Sequence, residues 1–376
     1  MSPQRTLLPH DELRRTARHM NLPGFGLKQQ EKLYGAHVFV IGAGGLGCPV
    51  MQSLAAMGVG TITVIDDDVV SLTNIHRQIL FTAADVGRPK VDVTAERLAG
   101  LQPGITINAL RARLTADNAL AMLRGVDVLV DGSDTFSTKY LAADAAEITG
   151  TPLVWGSVLR YRGDVALWWS GPGAPVDGAG MRDLYPDQPA ADAVPDCATA
   201  GVLGVTTSVV GGLMATEVVK HLTGLGDSQP GKLHIYDALT TRISHFTVTP
   251  DPARPPVTSL GFYGTPACRG KTWGRQLIDT ADALIDVREI HEKALQDLHR
   301  PGELLPTSQW EQQPGSGERL LRDLRDKPAQ NVLVYCASGV RSERFVERFS
   351  GAAAKLGLTL SSLPGGTNEH GVDLER

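Results

Sequence analysis

AHVFVIGAGGLG, residues 36–47, decides the architecture of the N-terminal part of the chain. An apolar run through Val38 and Ile41 reads as a strand. It meets a turn carrying Gly42, Gly44, Gly45 and Gly47, and residues 48–58 read as the following helix. In a strand–glycine loop–helix context the backbone N–H groups can approach phosphate oxygens, and the helix N-terminus adds about half a positive charge. Asp66 closes the next strand, TITVID (61–66), at the spacing where a carboxylate hydrogen-bonds a ribose hydroxyl. At this point a nicotinamide-dependent oxidoreductase remains open, as does a loop that serves helix–strand packing alone.

Outward from the loop the same alternation continues. Helical signals over 11–34 are broken at Pro23 and Gly24. A helix is expected at 90–101, a strand at 105–110, a helix near 116–124 and a strand at 126–132. A helix at 138–149 and a strand at 152–158 follow. This βαβ order predicts a mostly parallel sheet covered by helices. Residues 170–196, rich in Gly, Pro, Ala and Asp, read as a long surface loop. A helix-like run at 201–224 and closing antiparallel strands at 233–239 and 243–249 come next. Residues 250–274 begin with a proline-rich, unpatterned stretch and read as a linker. From 275 a second, smaller α/β pattern starts, with ALIDVRE (283–289), NVLVYC (331–336) and a helix at 341–356.

The composition narrows the function classes. The chain has 376 residues, 42% of them hydrophobic and 20% charged, with a net charge of −5. That length suits two or three domains. The acidic balance offers no electrostatic footprint for nucleic acid. No apolar run reaches the roughly 18–20 residues of a membrane span, and the N-terminus is polar. A soluble, cytoplasmic protein is expected, with no nucleic acid or membrane as partner. Four cysteines (Cys48, Cys197, Cys268, Cys336) form no C-x-x-C pair, so any reactive one is expected to act as a lone thiolate.

IDDDVVSLTNIHRQILF (65–81) places Asp66, Asp68, Asn74, Arg77 and Gln78 in a short span, and Lys90 follows. A dinucleotide site needs no such dense polar and cationic cluster. A triphosphate does, because its charge must be neutralised before a carboxylate can attack the α-phosphate. Asp134 follows the strand 126–132, at the strand end where open α/β sheets place ligands, and suits Mg²⁺.

The chain here resembles the MoeB/ThiF family of ubiquitin-activating-enzyme-like adenylyltransferases. The likeness runs through RHMNLPGFG (18–26), GAGGLG (42–47), GVGTITVID (58–66), TNIHRQILF (73–81), VDGSD (130–134), DCATAGVLG (196–204) and IYDA (235–238). It implies ATP as cofactor and a domain over 1–249. It puts Gly45, Asp66, Thr73, Asn74, Ile75, His76, Arg77, Lys90, Asp134 and Thr135 at nucleotide-contacting positions. It also implies a homodimer, in which Arg18 reaches the partner's triphosphate. The implied substrate is the C-terminal carboxylate of a small ubiquitin-like sulfur carrier ending in Gly-Gly. A peptide or small-molecule carboxylate, and a carrier-binding scaffold without activity, stay open beside it.

Cys197 stands just before a helix, where a thiol's pKa falls. The resemblance implies that it can receive the activated acyl group. Relatives that hold structural zinc carry C-x-x-C before a Leu-Tyr-Pro segment and again after the catalytic domain. This chain reads Gly180-Met181-Arg182-Asp183 before Leu184-Tyr185-Pro186, so no zinc is expected, and the 170–196 loop must be held by packing or be mobile. Thr135 stands where an asparagine is usual, and Ala143 is a further departure.

CASGVR (336–341) follows a strand and opens a helix. Such a loop turns backbone N–H groups inward around a sulfur, and Arg341 is expected to add a fixed charge that stabilises a thiolate or persulfide anion. The loop resembles that of rhodanese-like sulfurtransferases, supported by IDVRE (285–289), HRPGELLP (299–306) and LPGG (363–366). A rhodanese-like domain over 275–376 is therefore expected. Its sulfur donor would be a cysteine desulfurase or thiosulfate. Ala337 departs from the basic residue usual after the cysteine in fused relatives.

Overall fold

The computed structural model describes residues 6–189, 201–261, 263, 271–313, 315–325 and 330–373. They fall into two compact units, divided after Tyr263. No described helix is long and apolar enough to cross a membrane.

In the first unit β1 (His37–Ile41), β2 (Thr61–Ile65), β3 (Thr106–Leu110), β4 (Val128–Asp131) and β5 (Leu153–Leu159) pair in parallel. Three antiparallel strands extend the sheet: β6 (Arg162–Trp168), β7 (Lys232–Asp237) and β8 (Arg242–Thr247). The order is β3-β2-β1-β4-β5-β6-β7-β8. The sequence order reverses between β1 and β4, the crevice where open α/β sheets bind ligands.

Alternation along β1 explains the two-sided core. Val38 and Val40 join one apolar cluster with Ile62, Val64, Val128 and Val130. Phe39 and Ile41 point into the other, with Leu129 and Ile65. The first face is covered by α3 (Gly47–Met57), by α4 (Lys90–Leu101) and by the helix Gly204–Thr223, and α2 (Leu27–Gly35) packs beside that helix. The second face is covered by α5 (Ala119–Met122) and α6 (Phe136–Thr149). A short helix, α1 (His10–Thr16), precedes them. Two further α-helices are described in this unit: α7 (Met181–Leu184), and the long helix just described, α8 (Gly204–Thr223).

Two expectations change. Strand β6 carries no turn signal before it. The hairpin from β5 turns through Arg160 in the left-handed region (φ 56°) rather than through Gly or Asn. The proline-rich stretch beyond residue 249 is not a free linker as far as Tyr263, because ion pairs fasten it to α6 and α7. Arg254 bonds Asp183 Oδ1 (2.8 Å) and Glu147 Oε2 (3.1 Å), and Val257 N donates to Glu147 Oε1 (2.8 Å). The Tyr263 hydroxyl donates to Asp144 Oδ2 (2.6 Å), the carboxylate that Arg182 also binds. The described part of the 170–196 loop is thus held by buried ion pairs as well as packing. Tyr140 Oη donates to the carbonyls of Tyr185 (3.2 Å) and Asp187 (2.6 Å).

The second unit has a parallel sheet of order β11-β9-β12-β13: β9 (Ala283–Asp286), β11 (Glu303–Leu304), β12 (Asn331–Tyr335) and β13 (Thr359–Ser362). A small antiparallel pair joins β10 (Gln296–Leu298) to β14 (Gly371–Asp373). Its helices are α9 (Lys271–Thr280), α10 (Ile290–Lys293), α11 (Thr307–Gln312), α12 (Gly315–Arg325), α13 (Val340–Lys355) and α14 (Gly366–His370). The core stacks Trp310, Phe345 and Phe349 under β12, with ring centroids 4.6–5.9 Å apart. Arg288 is buried among Asp286, Asp297 and Tyr335, an ion-paired interior network.

Candidate functional site

Three loops interlock at the carboxyl ends of β1, β2 and β4. Gly42 turns in the left-handed region (φ 87°), and its Cα faces the Gly132 carbonyl: a Cβ there would lie 3.3 Å from Gly132 O. At Gly47 a Cβ would collide with the Gly42 carbonyl oxygen, so the helix can start close beneath the loop only with glycine. Gly132 N donates in turn to Ile41 O (2.9 Å).

Asp66 ties the second loop to the first. Its Oδ2 accepts from Ala43 N (2.8 Å) and its Oδ1 from Asp68 N (2.9 Å). Each oxygen keeps a further acceptor position for a hydroxyl. Lys90, almost fully buried, reaches Asp68 Oδ2 at 2.9 Å.

Residues 71–78 wind as a turn. Arg77 N (3.1 Å) and Gln78 N (3.0 Å) both donate to Asn74 O, while Ile75 packs its side chain on the core. Thr73 is exposed beside Ser71 Oγ (3.0 Å). Arg77 Nη1 donates to Thr73 O (3.1 Å) and His76 Nε2 (2.9 Å), which keeps that imidazole nitrogen unprotonated. The Arg77 stem lies where a Cβ on Gly45 would touch it at 3.4 Å. Gln78 is buried next to Gly44, and its Oε1 has no hydrogen-bond partner in the described structure. A buried orphan acceptor beside a bare-backbone loop fits a ligand that brings donors, as a nucleotide does.

Asp134 and Thr135 are exposed just past β4. Thr135 caps α6 by accepting from Thr138 N (3.4 Å). No described residue bonds the Asp134 carboxylate, which leaves it available to a cation. Beneath it lie two residues the sequence reading passed over. Asp131, fully buried, accepts from Ser133 N (3.0 Å) and Oγ (2.6 Å) through Oδ1, and from Lys139 Nζ (3.0 Å) through Oδ2. Lys139 also donates to Gly156 O (2.7 Å) and lies over the Trp155 ring. The available signal was a charge ending an apolar strand, with a lysine eight residues on among the apolar residues of a helix.

Not everything expected joins this cluster. Arg18 is exposed on the turn after α1, and no described contact links it to the loops. Cys197 and Cys268 lie outside the described residues. Cys48 is structural: burial pushes its thiol up to about 12, and Sγ donates to Ala43 O (3.4 Å).

In the second unit Cys336 follows β12 and is wholly buried. Its Sγ accepts from Gly339 N (3.1 Å), at the start of α13, and from Ser342 Oγ (3.6 Å). Its carbonyl accepts from Thr367 N (2.9 Å), which pins the cysteine loop to the LPGG turn. Arg341, expected to add a fixed charge beside the sulfur, is ion-paired in the structure. Both its terminal nitrogens bind the two Glu292 oxygens at 2.6 Å. Burial alone would pull the Arg341 pKa down, but the Glu292 carboxylate outweighs it and holds the guanidinium above its usual value.

The sequence model of the ThiF family matches residues 16–256. The chain belongs to the ThiF family. Within and around it, "Probable adenylyltransferase/sulfurtransferase MoeZ" of Mycobacterium tuberculosis is 39% identical over 354 residues, spanning 89% of this chain and 87% of its own length. "Sulfur carrier protein adenylyltransferase" of Thermus thermophilus is 43% identical over 269 residues, 72% of this chain and 95% of that protein. "Adenylyltransferase and sulfurtransferase MOCS3" of Sus scrofa is 40% identical over 276 residues, 70% of this chain and 60% of that one. Among solved structures PaaA (TM-score 0.54, 21% identity, covering 66% of this chain and 77% of its own) shares the fold. So does E. coli MccB with succinimide (TM-score 0.55, 20% identity, 65% and 74%). The mainly parallel sheet is thus the ThiF-family fold.

Proposed function

We propose that this ThiF-family chain uses ATP to adenylate the C-terminal carboxylate of a ubiquitin-like sulfur carrier and then transfers sulfur to it, giving a thiocarboxylate. The observation that carries the adenylation half is the interlocking of Gly42–Gly47, Asp66–Gln78 and Gly132–Thr135 at the β1/β4 crevice. The relatives named as adenylyltransferases and sulfurtransferases support the reading.

In this reading the glycine-loop N–H groups and the α3 N-terminus receive phosphate oxygens. Asp66 accepts a ribose hydroxyl. Arg77 and Lys90 offset charge as the carrier carboxylate attacks the α-phosphate and pyrophosphate leaves. Asp134 would hold Mg²⁺, which supplies neutralisation of phosphate charge. Arg18 serves the site of a second copy in a homodimer, in keeping with its exposure. Cys197 takes the acyl group, and Cys336 carries the sulfur as a persulfide. The carrier ends in Gly-Gly. No zinc takes part.

Mass spectrometry of a Gly-Gly-ending carrier, incubated with the protein, MgATP and a persulfide donor, tests the whole reaction. Replacement of one C-terminal oxygen by sulfur is expected. A carrier that stays an unmodified carboxylate, with ATP intact, would overturn the proposal.

A further inference from the structure

The persulfide loop of the second unit holds a closed ion pair where an anionic donor would need an open charge. Arg341 is the basic residue of the loop 336–341, and Ala337, Ser338, Gly339 and Val340 bring no other. Its terminal nitrogens are both spent on Glu292. Glu292 is fixed from the other side as well: its Oε2 accepts from Glu289 N (2.8 Å), the capping box of α10. Burial raises the Glu292 carboxyl, but Arg341 outweighs it and holds the group ionised below its usual range. Neighbouring cations are committed too, Lys293 to Asp286 and Asp297, and Arg344 to Glu311. Among the side chains of the cysteine loop, Arg341 Nε and the Ser338 hydroxyl have no partner in the described structure. The loop thus offers a dianion hydrogen-bond donors but, among the described residues, no cation outside an ion pair.

We propose that Glu292 selects the sulfur donor of Cys336. By holding Arg341 as a neutral pair, it disfavours dianions such as thiosulfate and leaves the cysteine to accept sulfur from a thiol hydropersulfide. The inference rests on the persulfide reading above. Bringing a dianion to a buried sulfur without a free cation carries a large desolvation cost. A hydropersulfide brings at most one charge, on the sulfur that Gly339 N and the α13 N-terminus already face. In the step, the Cys336 thiolate attacks the donor's outer sulfur. The donor's S–S bond breaks, its inner sulfur leaves with the electron pair and takes the proton, and Cys336 becomes a persulfide. With thiosulfate the leaving group would be sulfite. Neither route has net oxidation.

The test is the rate of Cys336 loading in the full-length protein, read by intact mass as the gain of one sulfur, with thiosulfate or the hydropersulfide of 2-mercaptoethanol, which has no other charged group. The wild-type protein should prefer the hydropersulfide in kcat/KM by at least about ten-fold, the worth of one charge-assisted contact. Glu292→Gln keeps the shape and frees the guanidinium. It should raise the thiosulfate-to-hydropersulfide ratio roughly ten-fold, through KM for thiosulfate. Glu292→Asp keeps the charge and should keep the low ratio. Equal wild-type use of both donors, or an unchanged ratio in Glu292→Gln, overturns the inference. If Glu292→Gln loads from neither donor, the wild-type and Glu292→Asp ratios decide in the same way. A wild-type protein that loads from neither donor would instead overturn the persulfide reading.

Discussion

Lys139 Nζ lies 3.0 Å from Asp131 Oδ2 in the interior of the first unit, while Asp131 Oδ1 grips Ser133, the neighbour of Asp134. The pair therefore sets the loop on which the exposed Asp134 stands. Replacing Lys139 with Met leaves a fully buried carboxylate unpaired. A loss of about 3 kcal/mol in denaturant-measured stability is expected, together with a lower rate of pyrophosphate exchange. A stable, fully active Lys139→Met protein would show that the pair is incidental.

A second clasp joins distant segments. Arg254 bridges Glu147 and Asp183, whose side chains are 5% and 1% exposed. Arg254→Ala removes the cation from two buried carboxylates that keep only neutral hydrogen-bond donors, so the first unit should lose about 3 kcal/mol. A metal chelator should leave the melting temperature of the wild-type protein where it was, because ion pairs fasten the described strap. A chelator-induced drop would contradict this.

Acid should weaken the loop before α4. Hydrogen bonds from the Thr82 hydroxyl and backbone, then Arg97, hold the Asp85 carboxyl down to about 2. Its unfolded value is about 3.9, so its contribution is full above that pH and is lost as pH falls through 4 towards 2. Urea titrations of wild type and Asp85→Asn should therefore converge between about pH 4 and pH 2. Parallel curves would show that Asp85 is not held ionised.

The two chemistries should separate by mutation. Cys336→Ala should keep carrier-dependent pyrophosphate exchange and lose thiocarboxylate formation. Cys48 should resist iodoacetamide at pH 8 in the folded protein, since its thiol stays protonated up to about 12. Alkylation of Cys48 before unfolding would contradict its burial.

The sheet was legible because its strands are apolar on both faces and its helices alternate between them, so β1, β2 and β4 announce themselves. Strand β6 was not, since Arg160 turns the hairpin without glycine. That Gly42, Asp66, Arg77 and Lys90 would stand near the strand ends was legible from their positions after apolar runs. Asp131, Lys139 and Glu292 were not. Asp131 and Lys139 pair with each other, Glu292 with a residue 49 positions on, and a charge within an apolar stretch reveals its role only when the ion pair is seen. The same limit hid the ion-pair partner of Arg341, which sits 49 residues away.

The most direct measurement is exchange of labelled pyrophosphate into ATP by the wild-type protein with a Gly-Gly-ending ubiquitin-like carrier, beside Asp134→Ala. Exchange that depends on the carrier and falls at least about a hundred-fold in Asp134→Ala, with the melting temperature unchanged, is the predicted result. A wild-type protein that binds ATP yet exchanges no pyrophosphate with any such carrier would contradict the account.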